Sequence, residues 1–179
     1  MTETINSKQI KIAKRYASAI SKLDDRLVVL QDLYNVLSTQ KTSQDLKEFL
    51  ENPVIKKQDK KEIIEKVFVN SIALNTKHLL FILVDKNRFG FLSAIVDTLQ
   101  KEIDELENTT RVEILSAIEL TDDEKNAIEN KLQNKFTDKI IANYSVDKSL
   151  IAGLLIKMGD RVIDLSMKSK FDTMKKQII

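Results

Sequence analysis

The chain has no cysteine and no tryptophan, one proline, one histidine and three glycines in 179 residues. Without cysteine there is no disulfide framework, no thiolate nucleophile and no cysteine metal site, a composition compatible with a reducing compartment. The lone histidine, His78, excludes a histidine-pair metal site and a histidine-rich acid–base site. Placed beside Leu79 at the start of an apolar stretch, it reads as a partly exposed structural residue. So few glycines leave no Gly-x-Gly-x-x-Gly or Walker-type loop to cradle a phosphate. The longest apolar run, Leu79 to Val84, is far short of the roughly 20 residues a membrane span needs. Met1 to Asn6 lacks the apolar core of a signal peptide, so a cytoplasmic protein is expected, with any membrane association made through partners. Charge of one sign is lacking too: the net charge is +2. Residues 1–106 carry 17 basic and 15 acidic side chains and residues 107–179 carry 12 of each, so neither half is a polyelectrolyte. Only the tail is lopsided, with Lys168, Lys170, Lys175 and Lys176 against Asp172.

What is present is mostly helical periodicity. From Lys8 to about Glu107 the pattern is helix after helix: Leu27, Leu30, Tyr34 and Leu37, then Leu46, Phe49 and Leu50, then Ile63, Ile64, Val67 and Phe68. Pro53 ends one helix and can open the next. Leu92, Ile95, Val96, Leu99, Ile103 and Leu106 mark the clearest amphipathic stripe. Six short helices packed as a bundle are expected over residues 1–106. Beyond Asn108 the period changes to that of a small α/β unit, residues 107–179. Arg111 to Ala117 alternates as a strand with Val112, Ile114 and Ser116 on one face. Thr121 with Glu124 three residues on fits a capping box, which gives Asp122, Asp123 and Glu124 a helix-start role rather than a cation site. Ala127, Ile128, Leu132 and Phe136 then carry a helix, and Lys139 to Val146 a second strand. Two of the three glycines, Gly153 and Gly159, flank one apolar run. They predict a bulge or close chain approach at Gly153 and a tight turn at Gly159-Asp160, joining a strand Leu150 to Ile156 to a strand Arg161 to Leu165. Met167, Phe171, Met174 and Ile178 space a closing helix.

Two helices are more apolar than a surface helix needs. The first has a stripe at Ile12, Tyr16, Ile20 and Leu23 and an offset one at Ile10, Ala13 and Ala17, whose small alanines admit a close neighbour. The other is Leu79 to Val84, apolar around its whole circumference, which must be buried on all sides or offer a face to a partner. Lys56, Lys57, Lys60 and Lys61 form the densest basic patch. With Asp59, Glu62 and Glu65 interleaved, it reads as a solvated helix face carrying a Lys61–Glu65 pair.

Several segments in order resemble the delta subunit of F-type ATP synthases, whose mitochondrial relative is the oligomycin sensitivity-conferring protein. They are Tyr16-Ala17-Ser18-Ala19-Ile20, Leu83-Val84-Asp85-Lys86-Asn87-Arg88-Phe89, the strand Val112 to Leu120 and, most specifically, Asp147 to Asp164 with its Gly-Asp-Arg-Val-Ile-Asp. Leu165 departs from the family, which often has glycine there. The resemblance implies a mostly helical chain, an N-terminal six-helix bundle followed by a small α/β domain, with no catalytic residue, cofactor or metal. It implies a stator connector on the cytoplasmic face of a bacterial membrane. Its first domain would hold the N-terminal helix of an α subunit of the catalytic head, and its second would meet the b subunits of the peripheral stalk. The family's groove between first and fifth helices maps to Ala13, Tyr16, Ala17, Ile20, Leu79, Ile82 and Leu83, so Ala17→Asp is expected to weaken head binding and leave the bundle folded. Met167, Phe171, Met174 and Ile178 are the candidates for the stalk side. The competing reading is a helical RNA-binding protein.

Overall fold

The computed structural model describes residues 7–69, 71–159, 161–167 and 169. It is mostly helical with one small sheet, and it divides into two compact units, Met1–Ile103 and Asp104–Ile179. The helices α1 (Ser7–Ile20), α2 (Arg26–Thr42), α3 (Gln44–Glu51), α4 (Lys57–Val67), α5 (Leu74–Asp85) and α6 (Leu92–Leu106) come first, with a 3-10 turn at Phe89–Phe91. Then follow β1 (Thr109–Ser116), α7 (Asp122–Lys135), β2 (Lys139–Val146), β3 (Leu154–Met158) and β4 (Arg161–Asp164).

The first unit is built on one apolar cluster to which α1 to α6 all contribute. Its fully buried large side chains include Leu33, Leu50, Ile64, Leu80, Leu83, Leu92, Ile95 and Leu99. Short polar signals break the helices: Ser43 accepts from the Leu46 backbone N–H to start α3, and the Asn52 side chain accepts from Val54 across Pro53. Helix α5 has no cap from its own N-terminal residue. Asp32 of α2 supplies one instead, its carboxylate accepting from the Ala73 backbone N–H at 2.7 Å and from the Thr76 hydroxyl at 2.8 Å. Thr76 is wholly buried and Asp32 nearly so. Asp32→Ala therefore strands a buried hydroxyl and removes two charge-assisted bonds, an expected loss of about 2–3 kcal/mol. Urea denaturation of the full chain would measure it.

Some helix faces differ from the sequence reading. In α2 the buried face is Val29, Leu30, Leu33, Val36 and Gln40, while Leu27 and Tyr34 point to solvent. The helix is apolar on more than one side, and the need to aim Asp32 at α5 selects the rotation. Leu106 is exposed beyond the last buried turn of α6, and Val67 and Ala127 are exposed on their helices.

In the second unit the strand order is β2-β1-β3-β4: β1 and β2 run parallel, and the other neighbours are antiparallel. The crossover helix α7 starts in a complete Thr121–Glu124 capping box. The Thr121 backbone N–H and then its hydroxyl hold the Glu124 carboxyl below its usual range. Val112, Ile114, Ile156 and Met158 meet Leu132 in a second core. Tyr144 packs there too, its hydroxyl 3.2 Å from the Lys125 carbonyl oxygen and 3.1 Å from a Glu129 carboxylate oxygen. Burial, and then Glu129, push its pKa up from 10.0 to about 12. The folded state thus holds a proton that the unfolded chain releases, so this contribution is full below pH 10.0 and is lost as pH rises toward about 12. Tyr144→Phe is expected to flatten that loss relative to the native chain in urea midpoints taken across the window.

Candidate functional site

The hairpin β3–β4 forms as its glycines predict. Gly159 turns with φ +56, and Gly153 has φ +93 with the carbonyl oxygen of Leu165 only 2.4 Å from where a Cβ would stand. β3 begins at Leu154 rather than Leu150, because Lys148–Leu150 closes a 3-10 turn and Ile151 follows at φ 66. There Ala152 donates to the Leu150 carbonyl at 2.8 Å, which makes a tight and strained three-residue turn around an exposed isoleucine. Leu165 has no positive φ, so the residue that departs from the family pattern needs no glycine backbone. Met167 begins a helical turn, anchored by its backbone N–H to the Ala152 carbonyl, and is partly exposed. Phe171, Met174 and Ile178 lie outside the described residues.

In the first unit the seven candidate groove residues separate. Ala13, Ala17 and Leu83 are wholly buried, and Ile20 and Leu79 are 5% and 7% exposed. These five belong to the core and present almost no surface to a partner. The small alanines admit neighbours from within the same unit. Tyr16 is half-buried, its hydroxyl accepting from Arg88 Nη1 at 3.2 Å, and Ile82 is 46% exposed. Down α5 the exposed positions include Leu74, His78 and Ile82, one turn apart, so His78 faces outward.

The basic patch is a solvated face only in part: Lys56 and Lys57 are exposed, but two of its lysines also reach α5. Lys57 Nζ donates to the Asp85 carbonyl at 2.8 Å and Lys61 pairs with the Asp85 carboxylate at 2.8 Å, both at the C-terminal end of α5 where the helix dipole favours cations. Glu65 pairs with Lys77 rather than Lys61, at 2.6 Å. The Lys60 stem is buried, and burial lowers its pKa. Phe81 lies under both Lys61 and Lys77, 5.4 and 5.5 Å from its ring centre. These lysines are thus used to hold α4 against α5, which leaves the RNA-binding alternative unsupported.

Among the described residues, the hollows on this unit include two of note. One, of about 410 Å³, is apolar and lined by Ile64, Phe68, Val69, Ile72 and Leu74 beside the Glu65–Lys77 pair. The other, of about 540 Å³, lies between α1 and α6 and is lined by Lys14, Arg15, Ser18, Ala19, Lys22 and Glu102. The sequence reading missed the second because it followed apolar stripes; the signal was the run of cations without acids from Lys8 to Lys22. Among the described residues no group of three or more acidic or histidine side chains is placed to hold a metal ion, and no helix is long and apolar enough to cross a membrane.

Comparison with known proteins places these features. The family model for the ATP synthase delta (OSCP) subunit matches residues 12–178. The chain is 32% identical to ATP synthase subunit delta of Lactobacillus gasseri, covering 99% of this chain and 96% of that protein. It is 30% identical to the Clostridioides difficile subunit delta, over 93% and 95% of the two chains. A sodium ion specific ATP synthase subunit delta from Propionigenium modestum is 31% identical, over 92% and 97%. Among solved structures, a chain of the Toxoplasma gondii mitochondrial ATP synthase hexamer shares the fold with a TM-score of 0.70 at 22% identity, covering 93% of this chain and 97% of that one.

Proposed function

Because the chain belongs to the ATP synthase delta (OSCP) subunit family, a family of structural rather than catalytic subunits of the F-type ATP synthase, we propose that it is the stator connector of that complex. The first unit holds the N-terminal helix of an α subunit at the catalytic head, and the second meets the b subunits of the peripheral stalk. Proton-driven rotation inside the head yields ATP only while the head is kept from turning with the rotor. A linker gripping head and stalk supplies that reaction force. The supporting observation is the family match running across both units, each with its own core and hence able to grip one partner without the other. Two grips on one assembly raise effective concentration, so neither contact need be very tight alone.

In this reading Tyr16 and Ile82 touch the head, while Ala13, Ala17, Ile20, Leu79 and Leu83 set the rotation and spacing of α1 and α5 from beneath. Met167, Phe171, Met174 and Ile178 serve the stalk side. The protein sits on the cytoplasmic face of a bacterial membrane, held there through its partners. The test is affinity purification of the tagged chain from gently solubilised membranes of its own organism. Stoichiometric recovery of head and stalk subunits is the expected result. Recovery of RNA-bound proteins that nuclease releases would overturn the reading.

A further inference from the structure

Helix α1 is basic in sequence: Lys8, Lys11, Lys14 and Arg15 lie within it and Lys22 follows, with no acidic residue from Ser7 to Lys22, and Lys11, Lys14, Arg15 and Lys22 are exposed. Lys8 and Lys11 stand in the first turns, where the positive end of the helix dipole disfavours cations. Lys11 also repels Lys14 and Arg15 at i+3 and i+4. Among the described residues, Lys11, Lys14, Arg15 and Lys22 take no part in an ion pair. In these first turns the charge does not stabilise the helix that carries it.

The same face bears the larger hollow, where Ser18 and Ala19 form a low floor between Lys14, Arg15 and Lys22. Glu102 is the one acid lining it, and its carboxylate accepts from the Ser21 hydroxyl at 3.0 Å. Ala13 and Ala17, wholly buried on the opposite side, fix the rotation that points this stripe outward.

We propose that the α1 hollow docks an acidic amphipathic helix of a protein partner, its backbone lying over Ser18 and Ala19 and its carboxylates meeting Lys14, Arg15 and Lys22. Small residues beneath a crossing helix allow the closest axial approach, about 8 Å. Lys14 lies within α1 and Lys22 in the turn just past its end at Ile20, about two helical turns on, so partner carboxylates at i and i+7 or i+8 face both. Nucleic acid fits less well, since no aromatic lines the hollow and Arg15 is its single arginine. The connector reading enters only in naming which subunit carries the helix.

The test is fluorescence anisotropy of the full chain with a labelled five-turn helical peptide of alanine and leucine carrying glutamates at i, i+4, i+7 and i+8, beside a twin with glutamines. The glutamate peptide is expected to bind about tenfold more tightly at low salt, a preference that salt erodes. The triple variant Lys14→Gln, Arg15→Gln, Lys22→Gln is expected to lose the preference with its circular dichroism unchanged. Equal binding of the twin, an unaltered preference in the triple variant, or tighter binding of single-stranded RNA or anionic vesicles than of the peptide each overturns the proposal. Peptide preference in a chain that recovers no head or stalk subunits would sink the connector reading and leave the docking site standing.

Discussion

Ala17→Asp is expected to unfold the first unit. Ala17 is wholly buried in the cluster built by α1 to α6, and its face of α1 also seats Ala13. An aspartate there either loses its charge or opens the helix packing, and either course costs about 4–5 kcal/mol or more. Stability of about 0.05–0.15 kcal/mol per residue leaves a unit of this size with roughly 5–15 kcal/mol, so such a loss takes from about a third of it to nearly all. Far-ultraviolet circular dichroism would show loss of much of the helical signal and of its cooperative melt. Ala17→Gly, which adds no bulk or charge, is expected to cost about 1 kcal/mol and keep the fold. Should the aspartate variant remain folded and lose only its partner, α1 would have to part from its neighbours in solution, and the groove over Ala13 and Ala17 would be restored as a binding surface.

Gly153→Val is expected to abolish folding of the second unit alone. The backbone at φ +93 is hostile to a β-branched residue, and its Cβ would stand 2.4 Å from the Leu165 carbonyl oxygen and 3.1 Å from Ser166 Cα. Those are backbone atoms that cannot swing away. Leu165 donates to the Leu154 carbonyl and Met167 to the Ala152 carbonyl, each at 2.8 Å, clamping the two chains on either side. Strain and clash together amount to about 3–5 kcal/mol. Calorimetry or urea unfolding should lose the transition of the sheet and retain that of the helices, whose core is a separate set of residues. A matching loss in the helical transition would show that the two cores melt as one.

Local chemistry was legible in the sequence and distant chemistry was not. The capping box at Thr121, the alternation of Val112, Ile114 and Ser116, and the turns at Gly153 and Gly159 all depend on residues near in sequence, and each stands where the pattern puts it. Leu27 and Tyr34 share the helical period of Leu30 and Leu37 yet face solvent. Their true rotation is set by Asp32 reaching Ala73 and Thr76, some forty positions away, which no stripe reveals. The apolar excess of α1 and α5 was visible as well. Whether it serves a core or a partner depends on what packs over it, and the structure spends Ala13, Ala17, Leu79 and Leu83 on the core. The contacts of Lys57 and Lys61 were hidden for the same reason, since their acceptor, Asp85, ends a different helix.

The position of β1 has a consequence for synthesis. Its neighbour β3 lies beyond α7 and β2 in the chain, with Ser116 and Leu154 paired across the ladder. At about 5–20 residues per second, a ribosome needs roughly 2–8 s to deliver one after the other. For that time the nascent chain carries a strand with a bare edge, open to pairing with any other extended polypeptide. Arg111 and Glu113, charged and exposed within that strand, guard it until β3 arrives.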